Sequence, residues 1–126
     1  MKKVMLSVIL ILGAFCLSGT AFADSVAEVY TCTLKEGKTI ADAQAINTKW
    51  LAWMRANVSE DIESTAATVL VGDSGSFLYV DIYPDVETWA AGDAALQTPE
   101  GQAAEAGFLD VMECSGNRLW RLQETQ

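Results

Sequence analysis

The spacing of hydrophobic and polar positions divides this chain into alternating strand-like and helix-like stretches. Val26 to Leu34 (VAEVYTCTL) is rich in β-formers and ends at the turn Lys35-Glu36-Gly37-Lys38. Thr39, with Asp42 three residues on, has the spacing of a near capping box. From Ile40 to Val58 the period is helical, and Ile40, Ala43, Ile46, Asn47, Trp50, Met54 and Val58 share one face. Ser59 to Ser64 is a polar break. Ala66 to Val71 is then predicted as a strand, followed by the tight-turn signal Gly72-Asp73-Ser74-Gly75. Phe77 to Tyr83 alternates with a period of two, and Pro84 stops it. Asp85 caps a second helical region through Leu96. Thr98 and Pro99 restart that region as N-cap and first helical residue, and the helix is expected to run to about Met112. Asn117 to Gln123 supplies a last strand.

The resulting order, strand, helix, strand, strand, helix, strand, predicts an α+β, ferredoxin-like βαββαβ domain: a four-stranded antiparallel sheet with two helical regions on one face. Its strand order would be 4-1-3-2, making the first and last strands neighbours. If Cys32 and Cys114 are joined as directly opposed residues, paired residue numbers on those strands sum to 146, so Tyr30 faces Gly116, Glu28 faces Arg118 and Val26 faces Trp120. Ala27, Val29, Leu119, Leu78, Val80 and Ile82 would then pack beneath the helices. Glu28, Tyr30, Phe77, Tyr79, Asp81, Tyr83, Arg118 and Trp120 would occupy the helix-free face. A slip of one residue inverts such an assignment.

The first 23 residues change the setting of this domain. Lys2 and Lys3 precede an apolar run from Val4 to Leu17, and Ala21-Phe22-Ala23 is a small-x-small cleavage pattern. That run is shorter than the about 20 residues a permanent membrane helix needs. The expectation is a signal peptide over 1–23 and an exported chain, periplasmic or secreted, with a single domain over 24–126. Cys16 follows Phe15, a poor context for lipid attachment, and is read as part of the leader. Two of the 8 basic residues lie in the leader, so the exported chain has 17 acidic and 6 basic side chains, a net charge of −11. Nucleic acid and anionic membrane surfaces, which attract basic patches, are therefore not expected partners; neutral or cationic ligands are.

Export also decides how the two remaining cysteines are read. In an oxidising compartment Cys32 and Cys114 are most simply a disulfide. The topology agrees, because it brings the end of the first strand beside the start of the last. The chain has no histidine, which excludes a Cys/His zinc site and the common serine-hydrolase triad. No phosphate-binding glycine loop and no metal or cofactor signature is present.

Five aromatic side chains on an uncovered sheet face are too many for a small monomer in water. The economical solution is a homodimer, two sheets packed face to face around a polar-aromatic cavity. With this element order, the aromatic sheet face, Trp89-Ala90-Ala91-Gly92-Asp93 and Thr98-Pro99-Glu100-Gly101, the chain resembles the dimeric α+β barrel superfamily of antibiotic-biosynthesis-monooxygenase-like proteins, from about Val26 to Leu122. The resemblance implies cofactor-independent oxygenases, haem-degrading enzymes or proteins without established activity. The haem-degrading branch uses a histidine ligand that this chain lacks. Asn47 and Trp50 are of the types that line such barrels, but their helix face is expected to pack on the sheet and no catalytic role is transferred to them.

The ligand-binding candidates are Glu28, Tyr30, Tyr79, Asp81, Tyr83, Arg118 and Trp120. Glu28 and Arg118 could orient a ligand, or form a cross-strand ion pair worth a few tenths of a kcal/mol. Asp81, mid-strand between two tyrosines, is the candidate catalytic carboxylate: burial would raise its pKa and suit it to general-base chemistry on a phenolic or enolic substrate. The alternative is a structural acceptor for a tyrosine hydroxyl or Arg118. Trp50, Trp53 and Trp89 are read as packing. The leading functional reading is an exported module binding a small aromatic or neutral ligand without established activity. A cofactor-independent monooxygenase acting on a quinol-type substrate and a protein-interaction module are the alternatives. Unreduced protein from an exporting host is expected to give an intact mass starting at Asp24 and two hydrogens light; a leader-bearing chain or free thiols would contradict this reading.

Overall fold

The computed structural model describes residues 25–72 and 75–125. The leader, with Cys16 and the cleavage point after Ala23, lies outside the described residues. The elements are β1 (Val26–Leu34), α1 (Ile40–Asn57), β2 (Glu63–Ala67), β3 (Phe77–Tyr83), α2 (Val86–Leu96), α3 (Pro99–Glu105), a 3-10 turn (Ala106–Asp110) and β4 (Met112–Arg121). The sheet is antiparallel in the order β2-β3-β1-β4. This is the expected ferredoxin-like arrangement.

Helix starts follow their capping chemistry. The Thr39 hydroxyl accepts from the Asp42 amide at 3.3 Å while the Thr39 amide donates to the Asp42 carboxylate at 2.8 Å, a complete capping box for α1. Asp85 accepts from the Thr88 amide at 2.7 Å, and Thr98 accepts from the Gly101 amide at 3.1 Å ahead of Pro99. The buried face of α1 is Ala43, Asn47, Trp50 and Met54. α2 comes close to it: a β-carbon on Gly92 would lie 2.9 Å from Met54 Cε and 3.4 Å from Tyr83 Cε1, so only glycine lets these elements meet without displacement.

Two strand boundaries differ from the sequence reading. β2 covers Glu63–Ala67, not Ala66 to Val71, because pairing with β3 runs from Glu63↔Ile82 to Ala67↔Leu78. Val69, Leu70 and Val71 extend past the paired segment and are exposed, Leu70 to 95 %. Val69 and Val71 are β-branched and all three are apolar, but pairing with β3 ends at Ala67. β4 begins at Met112, five residues before Asn117, and the helix expected there ends as α3 plus the 3-10 turn. Pairing of Leu34 with Met112 and of Cys32 with Cys114 extends the strand backwards.

The Cys32–Cys114 disulfide is present, with 4.0 Å between Cα atoms, and it joins directly opposed residues. From Leu34 to Thr31 the pairs keep the sum of 146. Between Tyr30 and Thr31 the register shifts, and Tyr30 pairs with Asn117, Glu28 with Leu119 and Ala27 with Trp120. Gly116, with φ of +69°, supplies the extra residue of this bulge. The expected Glu28–Arg118 and Val26–Trp120 pairs are therefore corrected: Arg118 lies opposite Val29, and Trp120 opposite Ala27.

The assignment of faces is also reversed. Along β3, Phe77, Tyr79, Asp81 and Tyr83 are buried, while Leu78, Val80 and Ile82 are less covered. The buried set packs with Ala43, Trp50 and Met54 of α1, so the helices cover the polar-aromatic face. Ala27, Val29, Leu78, Val80, Arg118 and Trp120 share the helix-free face, and Leu119 lies on the covered side opposite Glu28. The physical reason is volume. The α1 and α2 surfaces toward the sheet are lined in part by Ala43 and Gly92, and large rings are needed to fill the space beneath them. Gly116→Ala is expected to cost about 1–2 kcal/mol in urea unfolding, all of it backbone strain, because an added β-carbon there meets nothing within 4 Å. An unchanged midpoint would mean that the bulge does not need the left-handed conformation.

Candidate functional site

β1 and β3 pair so that three rows of side chains form the floor of a cleft under the helices: Tyr30 beside Tyr79, Glu28 beside Asp81, and Val26 beside Tyr83. Asn47 and Trp50 of α1 and Phe108 of the 3-10 turn contribute the roof, enclosing a cavity of about 220 Å³. The cleft therefore lies within one protomer, between sheet and helices, and not on the helix-free face where the sequence reading located it.

Glu28 is buried and held at both oxygens. Trp89 Nε1 donates to Oε2 at 3.1 Å and Asn117 Nδ2 donates to Oε1 at 2.7 Å. Asp81, 6 % exposed, is fixed by a relay. Asn47 Nδ2 donates to Ser64 Oγ at 2.8 Å, and the Ser64 hydroxyl donates in turn to Asp81 Oδ1. Burial pushes the Asp81 carboxyl up to about 7, against the lowering effect of the Ser64 hydrogen bond and with the neighbouring Glu28 charge adding to the rise. Asp81 is thus poised to give or take a proton near neutrality.

Tyrosine hydroxyls beside these carboxylates resist ionisation. Tyr79 is pushed up to about 12 by burial and then by Asp81. Tyr30 and Tyr83 are raised further, first by burial and then by the surrounding carboxylates. Glu105, at the end of α3, is also raised by burial, then by Asp93 and Glu28. All three tyrosines are therefore neutral hydrogen-bonding groups at physiological pH.

Among the described residues, two side chains that line the cleft carry a buried polar atom without a hydrogen-bond partner: Trp50 at Nε1 and Tyr79 at its hydroxyl. The Phe108 ring lies edge-on to both side chains, at centroid distances of 6.3 Å and 6.2 Å. An unpaired buried donor costs about 1–3 kcal/mol, which an acceptor from a bound molecule would recover.

Of the candidates read from the sequence, Glu28, Tyr30, Tyr79, Asp81 and Tyr83 converge on this cleft, whereas Arg118 and Trp120 lie on the opposite face because of the bulge. Sequence reasoning missed Ser64, Trp89, Asn117 and Glu105, and assigned no role to Asn47. For Asn47 a signal existed: an amide in the middle of an apolar helix face must find a polar partner. Among the described residues no group of acidic and cysteine side chains is arranged to hold a metal ion.

The fold is shared with solved structures. SnoaB, a cofactor-independent oxygenase from Streptomyces nogalater, superposes with a TM-score of 0.60 at 15 % identity, over 82 % of this chain and 97 % of that one. This is the fold of the antibiotic-biosynthesis-monooxygenase-like proteins. A hydroxynitrile lyase from Passiflora edulis has a TM-score of 0.55 at 12 % identity, over 82 % and 98 % of the two chains. A dimeric protein of ferredoxin-like fold from Bacteroides fragilis has a TM-score of 0.50 at 12 % identity, over 78 % and 96 %. No protein-family model and no curated protein matches the chain.

The folded pKa of Asp81, about 7, exceeds its unfolded value of about 3.9. A raised acid stabilises the folded state fully below about pH 4, and that contribution is lost as pH rises through 7. The difference corresponds to something on the order of 4 kcal/mol. Asp81→Asn is therefore expected to exceed wild type in stability at pH 8.5 and to lose that advantage toward pH 4, measured by chemical denaturation at both pH values. Parallel pH profiles for the two proteins would show that Asp81 titrates normally.

Proposed function

We propose that this chain is an exported small-molecule-binding protein whose ligand occupies the cleft between sheet and helices. The carrying observation is the pair of buried, unpartnered groups, Trp50 Nε1 and the Tyr79 hydroxyl, on side chains that line a cavity rich in rings and carboxylates. Native interiors satisfy almost all such groups, so two of them on residues lining one cavity point to a ligand acceptor there. The size of the cavity suits one compact ring.

A second reading, a cofactor-independent oxygenase acting on a quinol-type molecule, is favoured by Asp81. A carboxylate with pKa about 7, held by the Asn47–Ser64 relay, would take the proton of a phenolic hydroxyl. The resulting anion is electron-rich enough to meet dioxygen without a bound metal or flavin. The likeness to SnoaB supports this reading at the level of fold.

The proposed assembly is a homodimer formed through the helix-free face. That face carries Leu78, 37 % exposed, and Trp120, 52 % exposed, beside Val29 and Val80. Sheet faces of this kind are covered by packing another sheet at about 10 Å. Val80→Lys is expected to convert a dimer into a monomer in analytical ultracentrifugation while leaving the cleft intact. Asp81→Asn is expected to leave the dimer intact and to abolish aerobic turnover of a catechol or quinol, if the oxygenase reading holds. Unaltered turnover would remove Asp81 from the chemistry, and an unaltered dimer in Val80→Lys would remove the open face from the interface.

A further inference from the structure

We propose that the cleft selects a small organic cation, a protonated amine carrying a ring and an oxygen, with the ammonium among the carboxylates of Glu28, Asp81 and Glu105 and the oxygen at Trp50 Nε1. This deepens the small-molecule reading above and rests on it.

The charge in the cleft is one-sided. Glu28, Asp81 and Glu105 line it, and no lysine or arginine does among the described residues. Four carboxylates, Asp81, Glu28, Glu105 and Asp93, bear on the hydroxyl of Tyr83 alone. Glu28 and Asp81 occupy directly opposed positions on adjacent strands, a placement that is destabilising for like charges. The protein's own hydrogen bonds to them come from neutral donors, Trp89, Asn117 and Ser64. Neutral donors orient a carboxylate and leave its charge in place. The Gly116 bulge sends Arg118, which an unbroken register would place opposite Glu28, to the opposite face. The counter-charge is therefore left to a ligand.

The walls suit an organic cation better than a metal. No group of carboxylates among the described residues is arranged for metal coordination. Tyr30, Tyr79, Tyr83, Trp50 and Phe108 surround the space, and ring faces attract ammonium groups within about 6 Å. Trp50 supplies the other half of the specificity. An indole N–H is a donor only, so it requires an acceptor that an ammonium does not provide. The ligand must accordingly carry an acceptor oxygen at one end and positive charge at the other.

Isothermal titration calorimetry of the intact, unreduced protein at pH 8 separates the possibilities with three related phenols of different charge: tyramine, 4-ethylphenol and 4-hydroxyphenylacetate. Tyramine is expected to bind at least about tenfold more tightly than 4-ethylphenol, a difference of about 1.4 kcal/mol, and 4-hydroxyphenylacetate not at all. Glu105→Gln is expected to weaken tyramine several-fold and to leave 4-ethylphenol unchanged. Equal affinities for tyramine and 4-ethylphenol, or a tyramine affinity indifferent to Glu105→Gln, would overturn cation selection while the small-molecule reading stands. Absence of heat from all three probes would overturn both.

Discussion

Glu28 lies directly opposite Asp81 on the two central strands of the sheet, beneath a layer of helices. Two buried carboxylates in adjacent strands repel each other and lose hydration together, so every element around them has to respond. α2 sends Trp89 to one oxygen of Glu28, and β4 sends Asn117 to the other. β2 sends Ser64 to Asp81, and α1 holds that serine through Asn47. The cleft is thus the point at which all the layers of the domain are tied to one another.

The bulge at Gly116 belongs to the same constraint. Between Cys32–Cys114 and the bulge, β4 keeps the regular register that the disulfide secures. Beyond it, the shift of one residue brings Asn117 and Leu119 to the covered side and carries Arg118 and Trp120 to the open one. A neutral amide replaces a guanidinium beside Glu28. The acidic character of the cleft is therefore a product of strand register, set by one left-handed glycine. A helix-facing Arg118 would have neutralised Glu28 and closed the electrostatic question inside the protein.

These features cost folding energy. A carboxylate with its pKa displaced to about 7 and two unpartnered polar atoms are each unfavourable taken alone. The disulfide constrains the unfolded chain across a separation of 82 residues, which the chain-entropy model values at up to about 4.5 kcal/mol. Aromatic packing of Phe77, Tyr79 and Phe108 adds to the compensation. Instability gathered in a cavity, and offset elsewhere, is the pattern expected of a binding site rather than of a purely structural core.

Local pattern carried much of the fold. Period-two alternation in Phe77–Tyr83, the Thr39–Asp42 box, Thr98-Pro99 and the lone pair of cysteines act over a few residues or leave a single partner, so the sequence alone determined the element order, the helix starts, the sheet order and the disulfide. The same alternation separated Glu28, Tyr30, Tyr79, Asp81 and Tyr83 from their aliphatic neighbours, and those five do meet in the cleft. Which set faces the helices was decided only by the tertiary structure, because a two-fold alternation has no sign until the volume of the opposing layer is known. The fates of Arg118 and Trp120 depended on a one-residue bulge that no periodicity records. The donors Trp89, Asn117 and Ser64 come from separate elements, 17 to 89 residues from the carboxylates they serve. Proximity at that range is created by packing, not by sequence neighbourhood.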